Sequence, residues 1–517
     1  MSAIPKQPQP AKKMVLFTEK TGLYPERIAL SVLQGLVNRR EPRLYVYHDK
    51  YENTCTGNDP WPNILTAEHG IEFEPMSDLG QVFKRFKADY QGAIEYPGGW
   101  YYDPKKWKNA NILYMWCAIE NLIPVSTELN KVLRIPVKHK WNLQRGYKWA
   151  YKHLWPKCSK TVLAHYHPRA YTELWDYLTA NKIFTFFSTD EDRRVFDRVL
   201  DDADRNCPVL GVWGMERCGY PYGKFGGTRE WDGLIHPGDD FDNERGLIRY
   251  LAEHGHYLVV AHTSPNLSVH SGFKVKLPKQ KKWQRLYPEK DKVYVAWVFS
   301  EGSNIAANMY TRIRHWEKPR SIPIAWDWIP IMIDMCPSVL YHYYGVSTPN
   351  DYHVCACNGM GYTDLDAYKY QSQYLEITRQ HMNKTDMKHI WIWWATDETV
   401  TRIRNSLKCN MLLETMPTFE YELATKKVNG LLTLKTMLPT PPIDVSDYQI
   451  WAKWLKNGVR NNLPAFVFVG VNGQTWSPDN VQTFMTFMPE NWECVGLDTL
   501  TEFAYAPRFA YAKGGEK

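Results

Sequence analysis

Acidic and amide side chains recur in this chain just past short apolar runs. Glu301, Ser303 and Asn304 follow Val293–Phe299, and Asp327 follows Ile322–Trp326. Asn358, Tyr362, Asp364 and Asp366 follow Tyr352–Cys357, Asp397 and Glu398 follow His389–Ala395, and Asn472 and Gln474 follow Ala465–Val471. Paired carboxylates can hydrolyse a glycosidic bond, one protonated to release the leaving group, the other ionised as base or nucleophile. Crowded carboxylates push one another's pKa values apart, so such a cluster can supply both roles. The expected catalytic pair is Asp327 with either Glu301 or Asp397. Trp326 and Trp328 flank Asp327, an apolar setting that would raise its pKa and suit the acid role, leaving Glu301 as base or nucleophile. Asn304, Asn358 and Tyr362 could hydrogen-bond sugar hydroxyls, and Gly359 and Gly361 allow close backbone approach. Asp364 and Asn472, with Trp326 and Trp328, complete the expected substrate-binding set. Acidic residues after strands also serve as helix caps, which is the competing reading for Asp364, Asp366 and Asp397.

Such residues converge only if the runs before them lie side by side in one direction. Seven runs from Val293 onward are short and continuously apolar, the pattern of buried parallel strands, and helical segments separate most of them. In parallel α/β folds the loops after the strands open on one rim, where ligands bind. The expected fold is therefore α/β and multidomain, with N-terminal α/β domains followed by a C-terminal (β/α) barrel-like domain of about seven parallel strands. Before it, strand and helix patterns alternate from Met14 in a βαβ rhythm. The expected division is a disordered Pro/Lys-rich leader at 1–13, a small α/β domain at 14–137, a second at 138–287, and the barrel-like domain at 288–517. Gly211–Gly233 reads as a lid or substrate loop, or as irregular packing. Lys274–Lys292 reads as a hinge. His262, Asn266, Ser268 and His270 form a second polar group that could face a cleft or serve the scaffold.

The order of these segments resembles the GxGYxYP family of glycoside hydrolases. The resemblance rests on VYVAWVFSEGSNIAANMY at 293–310, RSIPIAWDWIPIMID at 320–334, CPSVLYHYYG at 336–345 and the Gly359-Met360-Gly361-Tyr362 core. LQGLVNRREPRLYVY at 33–47, LWDYLTANKIFTFF at 174–187, NLSVHS at 266–271 and AFVFVGVN at 465–472 extend it over nearly the whole chain. It implies a hydrolase/deacetylase-type barrel acting on carbohydrate. Two positions depart from the family pattern. Glu301-Gly302-Ser303-Asn304 stands where an Asp-Gly-Asp-Asn turn is usual, so one carboxylate is a hydroxyl, and Thr363-Asp364-Leu365-Asp366 replaces the Tyr-Pro ending. These departures motivate a second reading, a non-catalytic carbohydrate- or protein-binding protein on the same scaffold.

Composition narrows the remaining classes. A net charge of +7 over 517 residues is small, and the densest basic run, Lys274–Lys282, reads as a solvated connector, so no nucleic-acid partner is expected. The 22 Trp and 33 Tyr could build sugar-stacking platforms or interfaces as well as core. Ten cysteines show no C-x-x-C pair, so neither a metal nor a cofactor is expected, and buried free thiols suit a reducing compartment. No apolar run is long enough to span a membrane, and residues 1–20 lack a signal-peptide core. A cytoplasmic location is expected of the sequence as written, or a secreted or periplasmic one if the N-terminus has been trimmed. Oligomeric state is open.

Overall fold

The computed structural model describes residues 4–20, 22–48, 59–99, 109–142, 144–168, 172–187, 192–212, 244–281, 289–316, 320–393, 395–407, 411–415, 424–428, 431–438, 444–459 and 463–499. Three small parallel sheets precede a large one. The first, in order β2-β1-β3, comprises β1 (Lys13–Glu19), β2 (Leu44–His48) and β3 (Glu72–Met76). The second, in order β5-β4-β6, comprises β4 (Gly92–Tyr96), β5 (Leu122–Ser126) and β6 (Val137–Lys140). The stretch 14–137 thus holds two sheets, and the boundary expected at 137 falls at the start of β6, which pairs with β4. The third sheet, in order β10-β9-β7-β8, comprises β7 (Leu163–His165), β8 (Phe184–Phe186), β9 (Pro208–Gly211) and β10 (Tyr257–Val260).

The large sheet contains β11 (Val293–Ser300), β12 (Ile324–Trp328), β13 (Asp351–Cys355), β14 (His389–Trp393), β15 (Met411–Thr415), β16 (Ala424–Val428), β17 (Leu431–Leu438), β18 (Ala465–Asn472) and β19 (Trp492–Cys494). Its order is β15-β14-β13-β12-β11-β18-β17-β16, with β19 against the first half of β11. Every run expected as a strand in this half is one, and those seven run parallel; the β16–β17 hairpin adds the antiparallel edge. The sheet curls as a half-barrel, with β15 and β17 coming close to each other. Alternation divides its core. Tyr294, Ala296, Val298, Ala325, Val354, Phe466 and Phe468 pack together on the inner face. Trp297, Phe299, Trp326, Trp328, Val467 and Val469 belong to the larger core on the other face.

Buried polar contacts join the N-terminal sheets to one another and, through His270, to this body. Asn266 accepts from Gln34 Nε2 at 2.6 Å and pairs with both backbone groups of Val46 at 2.9 Å. Asn38 Nδ2 donates to Ser268 Oγ at 2.8 Å, and the Ser268 N–H donates to Asp176 at 2.8 Å. His270 Nδ1 lies 2.8 Å from Ser338 Oγ, and burial pushes this imidazole down to about 3. Asn266, Ser268 and His270 therefore serve the scaffold and do not face a cleft. The leader also differs from its expected disorder. Lys6 pairs with Asp334 at 2.6 Å, Gln7 Nε2 donates to Asn181 at 2.8 Å, and Tyr177 Oη donates to the Pro5 carbonyl at 2.7 Å. Composition could not register these partners, which lie far along the chain. Most of the loop expected at Gly211–Gly233 and the centre of the hinge expected at Lys274–Lys292 lie outside the described residues. Among the described residues no helix is long and apolar enough to cross a membrane.

Candidate active site

The turn after β11 is held from three sides. β11 and β18 are paired to their ends, Ser300 opposite Asn472, so the residues that follow them emerge together. Asn472 Nδ2 and Gln474 Nε2 lie 3.4 and 3.3 Å from the two carboxylate oxygens of Glu301. The Asn304 N–H donates to the Glu301 carbonyl at 3.1 Å, and Asn304 Oδ1 accepts from Ala307 N at 3.1 Å, opening the next helical segment. Glu301, Asn304, Asn472 and Gln474 are all partly exposed. Glu301 also has φ of +77°, in the left-handed region that L side chains other than Asn and Asp rarely adopt. Backbone strain of this kind persists where its surroundings over-determine it, often at functional sites.

Those surroundings are Gly302, Asp327 and Arg312. A Cβ on Gly302 would lie 1.9 Å from the Asp327 carbonyl oxygen, so only glycine fits. The Gly302 N–H donates to Asp327 Oδ1 at 2.8 Å. Arg312 Nη2 meets the same oxygen at 2.6 Å and donates to the carbonyls of Phe299 and Ser300, while Nη1 donates to the Asp327 carbonyl. One buried guanidinium thus ties the ends of β11 and β12 together. Burial raises the Asp327 carboxyl above its ordinary value, and the Arg312 guanidinium and Gly302 N–H oppose that shift. The Asp327 side chain is 3% exposed.

Asp327 is expected from the sequence in the loop after a strand ending at Trp326. Pro323 delays the strand by two residues, and β12 runs Ile324–Trp328 with Asp327 inside it. Alternation then turns Trp326 and Trp328 away from its carboxylate. Both tryptophans are buried, with Trp326 Nε1 donating to Asp351 at 3.0 Å and Trp328 Nε1 to His353 Nδ1 at 2.8 Å. They are core residues, and burial as a whole, not their flanking position, raises Asp327.

Arg312 carries no sequence signal because a π-helical turn, Ala307–Thr311, sets its direction. The Arg312 N–H reaches back to the Ala307 carbonyl at 2.9 Å. The extra residue gives Arg312 a register that helical periodicity does not predict, and such π-turns are frequent near functional sites. Neighbouring carbonyls of the turn are taken up from outside it. Tyr343 Oη donates to the Asn308 carbonyl, and Trp61 Nε1, from the N-terminal part of the chain, donates to the Met309 carbonyl at 2.9 Å. Trp61→Phe is expected to lower the thermal midpoint by leaving that buried carbonyl unpaired, a loss of about 1–3 kcal/mol. A midpoint equal to wild type by scanning calorimetry would refute this buttress.

The Gly-x-Gly-Tyr segment does other work. Tyr362 and Leu258 exchange backbone hydrogen bonds of 2.7 and 2.9 Å, joining the segment to the outer strand β10. A Cβ on Gly361 would lie 2.6 Å from the Leu258 carbonyl oxygen. Tyr374 Oη donates to the carbonyls of Asn358 and Gly361 at 2.9 and 3.0 Å, and Asn358 Nδ2 donates to the Thr363 carbonyl at 2.5 Å. Asn358, Gly359, Gly361 and Tyr362 are buried, and they form a clasp between sheets in place of the expected sugar contacts. Val260 and Asn304 form a second bridge from β10 to the Glu301 turn.

The remaining carboxylates stand apart. Asp364 Oδ1 accepts from the backbone of Asp366 and Ala367 at 3.1 and 3.2 Å, a turn cap. Asp366 accepts from Thr396 N at 3.0 Å. Asp397 is the exposed first residue of the helix Asp397–Leu407, capped in its place by Thr396, and its strand β14 lies three places from β11. Expected site residues brought together are therefore Glu301, Asn304 and Asn472, with Asp327 beneath them; Asp397 is not among them. Of Glu414 and Lys435 only the strand placement is described. Among the described residues no cluster of His, Cys, Asp and Glu could hold a metal.

Three family models match in succession. Residues 13–88 match the first GxGYxYP N-terminal domain, 159–272 the third, and 291–504 the domain described as "GxGYxYP putative glycoside hydrolase C-terminal domain". The chain belongs to the GxGYxYP family. A crystal structure described as a putative hydrolase from Bacteroides thetaiotaomicron is similar over 97% of this chain and 96% of its own, with 18% identity and a TM-score of 0.79, and shares its fold. A structure of peptidoglycan deacetylase PdaC from Bacillus subtilis covers 42% of this chain and 93% of its own, with 12% identity and a TM-score of 0.25. No curated protein matches.

Proposed function

We propose that the protein hydrolyses glycosidic bonds with Glu301 as the reacting carboxylate. The observation that carries this is a partly exposed carboxylate on a strained backbone, met by two long amide contacts, at the strand ends of a half-barrel. Glu301 takes a proton from a water that attacks the anomeric carbon as the glycosidic C–O bond breaks, the leaving oxygen is protonated from solvent, and Asn472, Gln474 and Asn304 orient the carboxylate and the sugar hydroxyls around it. Asp327 and Arg312 act beneath as positioning residues. A carboxylate 3% exposed and already bound by a guanidinium and an N–H offers a substrate almost no surface, which argues against direct proton donation by Asp327. Family membership supports the carbohydrate class of substrate.

A second reading is a glycan-binding protein without turnover. It is favoured by the sequestration of Asp327, the carboxylate on the strand beside Glu301. The discriminating experiment is a panel of aryl glycosides and oligosaccharides incubated with wild type, with products followed by NMR. Release of a reducing sugar supports hydrolysis. Binding by calorimetry with no product on any substrate would overturn it in favour of recognition.

A further inference from the structure

We infer that a second surface, remote in the fold from Glu301, binds an acidic oligosaccharide through Arg145. Its guanidinium lies against two indoles, with Cζ 4.0 Å from the ring centre of Trp116 and 4.6 Å from that of Trp149; the two rings themselves meet edge to face, 5.6 Å apart at 63°. Each indole is stacked in turn on an imidazole. Trp116 lies 4.8 Å from His139 and Trp149 lies 5.1 Å from His153, with interplanar angles of 29° in both pairs. Arg145 thus places its fixed charge against a cluster of four rings, His139, Trp116, Trp149 and His153.

Among the described residues Arg145 makes no ion pair, and its Nη1 is buried without a hydrogen-bond partner. Burial lowers its pKa. A cation over two aromatic faces gains part of its lost hydration from them, and a planar anion at the free edge of the guanidinium would supply the rest. The surroundings reinforce this polarity. Lys138, His139 and Lys140 on β6, and Lys148, Lys152 and His153 on the helix Tyr147–His153, are exposed. Glu95 stands opposite Lys140 in register.

A uronate-bearing oligosaccharide fits these features together. Its carboxylate is planar and matches the guanidinium fork in a bidentate pair. Its pyranose rings present C–H faces that pack on the exposed imidazoles of His139 and His153. The site is independent of the reading of Glu301, since its residues lie on β6, on the helices Ala110–Glu120 and Tyr147–His153, and just before the latter.

The test is calorimetric titration of the full chain with hexagalacturonate, with cellohexaose, dextran sulfate and a single-stranded DNA oligomer as controls. Wild type should bind hexagalacturonate in preference to all three. Arg145→Gln should weaken binding by about tenfold or more, and Arg145→Lys by less, since lysine keeps the charge and loses the fork. Thermal midpoints of the variants establish that each is folded. Equal binding by folded Arg145→Gln, no binding of hexagalacturonate, or equal binding of DNA and dextran sulfate would each overturn the proposal.

Discussion

Glu301→Gln is expected to reduce turnover by about 10²–10⁴-fold on any substrate that wild type hydrolyses, the range supplied by a positioned acid or base. The change is isosteric and removes only the carboxylate's charge and basicity. The two amide approaches it disturbs, at 3.4 and 3.3 Å, are long for hydrogen bonds. The thermal midpoint should stay within about 2 °C of wild type. Glu301→Gly sharpens the test. At φ of +77° glycine relieves strain of about 1–3 kcal/mol and adds unfolded-state entropy worth about 0.5–1 kcal/mol. The glycine variant should therefore be inactive yet at least as stable as wild type. A clear fall in its midpoint would mean that Glu301 holds the fold and not the chemistry, and undiminished turnover by Glu301→Gln would remove it from the reaction.

The half-barrel is legible in the sequence because its central strands are buried on both faces and so read as unbroken apolar runs; β11 is buried throughout. Strands without that signature leave no such trace. β6 (VKHK) is exposed at every position, and β16 (ATKKV) is a lysine-bearing edge. Glu301 and Asn472 can be read together because strand ends that pair must bring their next residues together. The departures come from contacts that sequence spacing does not encode. Asp327 has the spacing of a loop acid, and Pro323 shifts its strand to enclose it. Its partner Arg312 is aimed by a π-turn whose carbonyls depend on Trp61 and Tyr343. The Gly-x-Gly-Tyr segment resembles a ligand loop because glycine and amide residues suit close approach of any kind. What approaches is the backbone of Leu258, about a hundred residues earlier.

Arg312→Met is expected to destabilise the protein by about 3–5 kcal/mol, the cost of leaving one member of a buried ion pair uncompensated. The loss should depend on pH in a defined direction. Without the guanidinium, burial alone acts on Asp327, so its folded-state pKa rises further above the unfolded value of about 3.9. The folded state then binds more protons than the unfolded state, and stability falls as pH rises from the unfolded pKa through the folded one. Arg312→Met should accordingly be least impaired near pH 4 and most impaired at neutral pH, relative to wild type. Arg312→Met/Asp327→Asn removes the charge while keeping an acceptor for the Gly302 N–H, and should recover part of the loss at neutral pH and none of the pH dependence. Recovery cannot be complete, because the carbonyls of Phe299, Ser300 and Asp327 still lack their donor. Denaturation midpoints across pH 4–8 measure wild type and both variants. A pH-independent loss in Arg312→Met would show that the guanidinium matters for its carbonyl contacts alone.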